Sequence, residues 1–85
     1  MSYQIEFSKK ATKQFKALSL EIQLRIRPKI DALSDEPRPS GVVKLEDEDD
    51  LYRIRVGDYR VVYRIKDQEL VVLIIKLGHR SDIHR

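Results

Sequence analysis

The sequence contains no cysteine and no tryptophan, and only three glycines and three prolines occur among its 85 residues. A chain without cysteine has neither disulfide bonds nor thiolate metal ligands, which fits a reducing compartment. No apolar run approaches the roughly 18 residues of a membrane-spanning helix. Met1 leads into a strand-like segment rather than into a signal peptide. These absences indicate a cytoplasmic protein that does not enter a membrane.

Charged residues make up 36% of the chain and hydrophobic residues 41%, which is typical of a globular protein. The length predicts a single domain over residues 1–85, close to the size at which a core only just offsets the entropy of folding. Five of the 14 acidic residues form one run, Glu46–Asp50, so the rest of the chain carries a net charge of +8. That balance favours a polyanionic partner such as nucleic acid. The run itself is interpreted either as a solvated loop or as a functional element, which would hinder the approach of RNA or DNA or would contact a basic partner.

The first half of the chain predicts a strand followed by a helical hairpin. Residues 3–7 alternate apolar and polar side chains, as a half-buried strand does. Ser8 and Ser19 stand where each helix needs an N-cap, and Pro28 should bend the second helix or split it in two. Apolar side chains at helical spacing predict the buried faces of the two helices: Ala11, Phe15, Leu18, Ile22, Ile26, Ile30 and Leu33.

The second half reads as strands joined by turns, after a brief edge strand predicted within Val42–Leu45. Gly57 and Asp58 are interpreted as a two-residue hairpin turn, because glycine supplies the positive φ that such a turn requires. The predicted fold class is α+β: an N-terminal strand and two helices packed on one face of a small, largely antiparallel sheet.

The hairpin register places four arginines on one face of the sheet. If the turn is Gly57-Asp58, then Arg55 lies opposite Arg60, with Arg53 and Arg64 on the same side. Directly opposed like charges cost several tenths of a kcal/mol. This face is either solvated surface or a phosphate site, because the guanidinium fork engages two phosphate oxygens and stays charged. The same face is predicted to carry an apolar patch that a partner protein or the chain's own tail would cover: Val62, Val71, Leu73 and Ile75.

Residues 52–63, read as YRIRVGDYRVVY, are followed by a buried strand and by Leu77-Gly78-His79-Arg80. This order, together with the N-terminal strand, paired helices and Pro-rich connector, strongly resembles the RelE branch of the RelE/ParE toxin superfamily over nearly the whole chain. The resemblance implies the RelE-like microbial ribonuclease fold and a toxin of a bacterial type II toxin–antitoxin system. Such a toxin cleaves mRNA in the ribosomal A site by 2′-hydroxyl attack, without metal or other cofactor.

The resemblance also implies the site. The positions matching the basic residues of RelE-like enzymes are Arg53, Arg55, Arg60 and Arg80. Near the C-terminus His84 stands where many relatives have tyrosine, and we expect it to transfer a proton, since histidine titrates near neutral pH. No metal site is predicted, because the two histidines lack the spacing of a ligand set. Further contacts to RNA are expected from Arg64, Lys13, Lys16 and His79.

The expected partners are a cognate antitoxin in a hetero-oligomer, and the ribosome with its mRNA; contact with DNA is expected only through the antitoxin. Two other functions stay open. A ParE-like toxin shares the fold but inhibits DNA gyrase by binding, and a degenerate homologue would bind RNA or the antitoxin without catalysis.

Overall fold

The computed structural model describes residues 2–45 and 50–83, with side chains described up to Ser81. Its strands form one five-stranded sheet in the order β1-β5-β4-β3-β2, in which β1 pairs with β5 in parallel and the other pairs are antiparallel. The predicted α+β class is therefore confirmed. Within the described ranges, no helix has the length and apolarity needed to cross a membrane. In chain order the elements are β1 (Gln4–Phe7), α1 (Lys9–Ala17), α2 (Leu20–Ala32), β2 (Val43–Lys44), β3 (Leu51–Val56), β4 (Tyr59–Lys66), β5 (Val71–His79) and α3 (Arg80–Ile83).

Both predicted helix caps are present. The Ser8 hydroxyl accepts a hydrogen bond from the Ala11 amide at 3.0 Å, and the Ser19 hydroxyl accepts one from the Ile22 amide at 3.3 Å. Each satisfies one of the amide donors that a helix start leaves without an intrahelical acceptor.

Helix α2 runs unbroken through Pro28, so of the two predicted effects of this proline, a bend or a split, the split does not occur. Proline removes one helical amide donor, which weakens the ladder at a single position. Ile26 and Ile30 lie on either side of it and are both fully buried. Their packing supports the helix on both sides of Pro28, since most helical stability in proteins comes from tertiary contacts.

The core lies between the two helices and one face of the sheet. Side chains that alternate along β3 and β4 point towards the helices and are buried. Phe15 of α1 and the C-cap residue Leu18 pack against this cluster from the helical side. Neither α1 nor α2 packs on the opposite sheet face. The cluster comprises Ala11, Ile26, Ile30, Leu33, Tyr52, Ile54, Val56, Val61, Tyr63, Ile65, Val72, Ile74 and Leu77.

The Pro-rich connector after α2, residues 34–41, is held against the sheet by polar side chains. The Tyr63 hydroxyl donates to the Pro37 carbonyl oxygen at 2.7 Å. The Arg38 guanidinium lies 5.3 Å from the Tyr52 ring centroid and donates to Asp67 at 2.8 Å. The hydrogen bond from Arg38 holds the pKa of the Asp67 carboxyl below its ordinary value. The connector therefore has a fixed path, and it delivers the chain to the edge strand β2.

Replacing Tyr63 with phenylalanine tests this fastening. Tyr63 is fully buried, so the Pro37 carbonyl would lose its partner without gaining an equivalent one. We expect the free energy of unfolding to fall by about 1 to 2 kcal/mol in urea denaturation. Tyr59→Phe is the matched control, because the Tyr59 hydroxyl has no protein partner among the described residues. Equal losses in the two variants would show that the Tyr63 hydrogen bond contributes little.

Candidate functional site

The hairpin of β3 and β4 sets the arrangement of the arginines. Gly57 has φ +61°, and the strands pair so that Arg55 lies opposite Arg60 and Arg53 lies opposite Val62. This is the predicted register. Residues directly opposite each other in an antiparallel pair point to the same face. The three arginines therefore share the face of the sheet that the helices do not cover, which we call the open face.

The cations of the open face are crowded and poorly compensated. The Nε atoms of Arg53 and Arg60 are buried and have no hydrogen-bond partner. Burial lowers the pKa of Arg53, and the nearby charges of Arg60 and Arg55 lower it further. Among the residues that the structure describes, no carboxylate forms an ion pair with any of these three side chains. An anion placed here would supply the missing acceptors and relieve the repulsion.

Arg64 lies on the same face but in a different setting. Its guanidinium forms an ion pair with the carboxylate of Asp50, which is the last residue of the acidic run. Arg64 is therefore paired with a carboxylate, whereas Arg53, Arg55 and Arg60 have no carboxylate partner among the described residues. The pair partly neutralises the end of the open face that lies away from the hairpin turn. Residues 46–49 of the run lie outside the described residues.

Arg80 is brought to the hairpin turn by its backbone. Its amide donates to the Asp58 carbonyl oxygen at 2.8 Å, which fixes the start of α3 beside the turn. The residue is exposed and lies at the same end of the sheet as the Arg55–Arg60 pair. The structure thus brings together four of the five predicted catalytic positions at one end of the sheet. The fifth, His84, lies outside the described residues.

Three predicted RNA contacts lie elsewhere. His79 is paired with Tyr59 on the helix side of the sheet, and their rings meet edge to face with centroids 5.5 Å apart. Its Nδ1 also lies 2.9 Å from the Ser81 hydroxyl oxygen. Lys13 and Lys16 are exposed on α1, which packs on the helix side as well. These side chains are not part of the cluster on the open face.

A β-bulge explains why the sequence misplaced the side chains of β5. The pairing jumps from Tyr63 opposite Ile74 to Val62 opposite Lys76, which leaves Ile75 as the extra residue. Strict alternation would have put Ile75, Leu77 and His79 on one face; the bulge instead turns Lys76 and Gly78 to the open face. Alternation along a single strand carries no signal for such an insertion, so Lys76 could not be selected from the pattern of β5 alone.

The predicted apolar patch is only partly present on the open face. Val62 and Val71 are only 5% and 9% exposed, Leu73 pairs with Arg64 on that face and is partly exposed, and Ile75 is the extra residue of the bulge. The large apolar side chains that are well exposed in the described chain lie elsewhere: Leu20 and Leu24 on α2, and Val43 on β2. In the described part of the chain, no group of three or more histidine, cysteine or acidic side chains is placed to hold a metal ion.

The electrostatic cost of the cluster can be measured. Arg55→Gln removes one member of the directly opposed Arg55–Arg60 pair, so we expect the free energy of unfolding to rise by several tenths of a kcal/mol. The gain should shrink as potassium chloride is added to the urea titration, because salt screens charges near the surface. Lys10→Gln on the exposed surface of α1 is the control for loss of a positive charge. A destabilised Arg55→Gln variant would show that the arginine contributes favourably to the fold.

Comparisons with known proteins identify the family of this chain. The family model described as the ParE toxin of the type II toxin–antitoxin system parDE matches residues 5–84. The chain is 29% identical to the mRNA interferase toxin RelE of Escherichia coli K12, over 95% of this chain and 86% of the relative. The RelE structure in the archaeal RelE–RelB complex of Pyrococcus horikoshii matches with a TM-score of 0.82 and 36% identity, over 95% of this chain and 98% of that one. The intact Escherichia coli RelBE toxin–antitoxin complex matches with a TM-score of 0.82 and 28% identity, over 92% and 96% of the two chains. The chain belongs to the RelE/ParE family of toxins from type II toxin–antitoxin systems.

Proposed function

We propose that residues 1–85 form a single catalytic domain that cleaves mRNA in the ribosomal A site and is neutralised by a cognate antitoxin. The observation that carries the proposal is the set of three arginines on the open face that lack a carboxylate partner among the described residues: Arg53, Arg55 and Arg60. Relatives named mRNA interferases support an endoribonuclease at the level of the family.

The chemistry suits an arginine cluster because the substrate supplies its own nucleophile. The ribose 2′-oxygen forms a bond to the adjacent phosphorus while the bond from phosphorus to the 5′-oxygen breaks. The products are a 2′,3′-cyclic phosphate and a 5′-hydroxyl. Negative charge builds on the non-bridging phosphate oxygens in the transition state, and donors fixed in advance stabilise it. Arg60 and Arg80 are assigned this role, with Arg53 and Arg55 holding the phosphate by their guanidinium forks.

Two protons must also move, one from the 2′-hydroxyl and one to the 5′-oxygen. Arginine is poorly suited to transfer either proton, because its side chain stays protonated at any working pH. We assign proton transfer to His84, whose side chain type works in either direction near neutral pH. The assignment rests on the chemistry of histidine and on its position in the sequence, since the residue lies outside the described ones. The substrate would be positioned by the ribosome, which brings the reacting groups into line.

The proposed partners follow from the same family. Relatives crystallised as RelE–RelB complexes support a hetero-oligomer with a cognate antitoxin, and contact with DNA would occur through that antitoxin. The short edge strand β2 carries exposed Val43, and α2 exposes Leu20 and Leu24 one helical turn apart. An exposed strand edge and an apolar helix surface are both features that a peptide segment can cover.

Inhibition of DNA gyrase is the second candidate, because the family model that matches is described as the ParE toxin. That function requires binding alone, so it gives no reason to hold three crowded guanidinium groups on one face. A wild-type chain that arrests growth while mRNA stays intact and supercoiling falls would establish gyrase inhibition in place of the proposed reaction.

The phosphate role of the arginines predicts a selective loss of cleavage. After brief induction in cells, primer extension on a reporter mRNA should show cuts inside the translated frame for the wild type. Arg60→Ala and Arg80→Ala should each reduce cutting by at least about a hundredfold, as expected for lost transition-state stabilisation. Lys10→Ala on α1 is the control and should cut normally, because the exposed Lys10 side chain lies on the helix side. Undiminished cutting by both arginine variants would refute the assignment.

The proton-transfer role of His84 predicts a defect in chemistry rather than in binding. In single-turnover cleavage on programmed ribosomes, His84→Gln should lower the maximal rate by about a hundredfold or more. The toxin concentration that gives half-maximal rate should stay near the wild-type value. The wild-type rate should also follow a pH profile near neutrality that the variant lacks. A variant with the wild-type rate and pH profile would assign the proton transfer to another group.

A further inference from the structure

Lys76 is a cation of the open face that lies across β4 from the arginines. It is the direct partner of Val62, and Val62 is in turn the direct partner of Arg53. The three residues form one row across β3, β4 and β5. Neighbouring strands lie about 4.8 Å apart, so the Lys76 and Arg53 backbones are about 10 Å apart with Val62 between them. Long basic side chains from both ends can therefore reach a group placed over Val62.

The next row provides open space beside Arg60. Its direct partner on β5 is Gly78, and a Cβ built on Gly78 would have no heavy atom within 4 Å. Gly78 and Lys76 are two residues apart on the same strand and point to the same face after the bulge. The open face therefore has a low floor at Gly78, next to Val62, which is itself only 5% exposed. Three basic residues lie in the two rows that meet there: Arg53, Arg60 and Lys76.

We propose that Lys76 is a further substrate-contacting residue, which binds a backbone phosphate of the mRNA over this floor together with Arg53 and Arg60. The inference rests on the proposed function and adds β5 to a site otherwise built from the β3–β4 hairpin and Arg80. A low floor between cations suits a sugar–phosphate backbone, because the phosphate reaches the charges while the ribose occupies the space that glycine leaves open. Lysine binds phosphate as a compact point charge with three donors, so its contribution depends on charge more than on shape.

The test compares variants in single-turnover cleavage of mRNA on programmed ribosomes, over a series of toxin concentrations. Lys76→Met should raise the concentration for half-maximal rate by about tenfold, as expected for loss of one charge-assisted contact. Lys76→Arg should stay close to the wild type because the charge is kept. Lys66→Met is the matched control: it removes a lysine from the far end of the same face, where Lys66 pairs with Val71. The half-maximal toxin concentration of Lys76→Met, divided by that of the wild type, should shrink as potassium chloride increases. The reason is that losing a phosphate contact makes binding less dependent on salt.

A second variant tests the floor without changing charge. Gly78→Val places a strand-compatible side chain in the open space, and Gly78 does not have the positive φ that would strain it. Cleavage should be lost while the urea midpoint stays near the wild-type value.

The outcomes separate the inference from the proposed function. If the wild type cleaves and Arg60→Ala does not, but Lys76→Met behaves like Lys66→Met, the inference is wrong and the proposed function stands. Normal cleavage by Gly78→Val would likewise refute the proposal that the mRNA backbone occupies the open space at Gly78. If the wild type does not cleave at all, the proposed function fails and the role of Lys76 fails with it.

Discussion

The pairing register of β3 with β4 is the constraint on which the rest of the molecule depends. Gly57 makes the tight turn at φ +61°, and every later pair follows from it. One face of the hairpin then supplies the apolar side chains that the helices bury, and the other supplies the arginines. A slip of one residue would bury the guanidinium groups and expose the tyrosines, at a cost the small core does not offset. Fold and site are therefore specified by the same register.

The arginine cluster is arranged at a cost to the stability of the fold. Arg55 faces Arg60, and the buried Nε atoms of Arg53 and Arg60 have no acceptor. Neither feature helps the chain to fold, since an unsatisfied buried donor and a like-charge pair both cost free energy. An RNA phosphate would provide the missing acceptors. The ion pair between Arg64 and Asp50 marks where this uncompensated region ends.

The sequence predicted what depends on local pattern. Caps at Ser8 and Ser19, the edge strand, the hairpin register and the buried faces of both helices all follow from spacing and turn chemistry. Three features depend on contacts distant in sequence. The bulge that turns Lys76 to the open face is set by pairing between β4 and β5. The Asp50–Arg64 pair joins the residue before β3 to β4, and α2 continues past Pro28 because its neighbours are buried. The hydrophobic periodicity of a single segment does not indicate any of these three features.

The central claim is that cations on the open face cleave a phosphodiester through its own 2′-hydroxyl. Mapping RNA ends across the transcriptome after brief induction tests it most directly, because the mechanism fixes the chemistry of both ends. The account predicts new 5′-hydroxyl ends inside translated frames, matched by upstream fragments that carry a 2′,3′-cyclic phosphate. Growth arrest without new ends, or new ends that carry a 5′-phosphate, would contradict it.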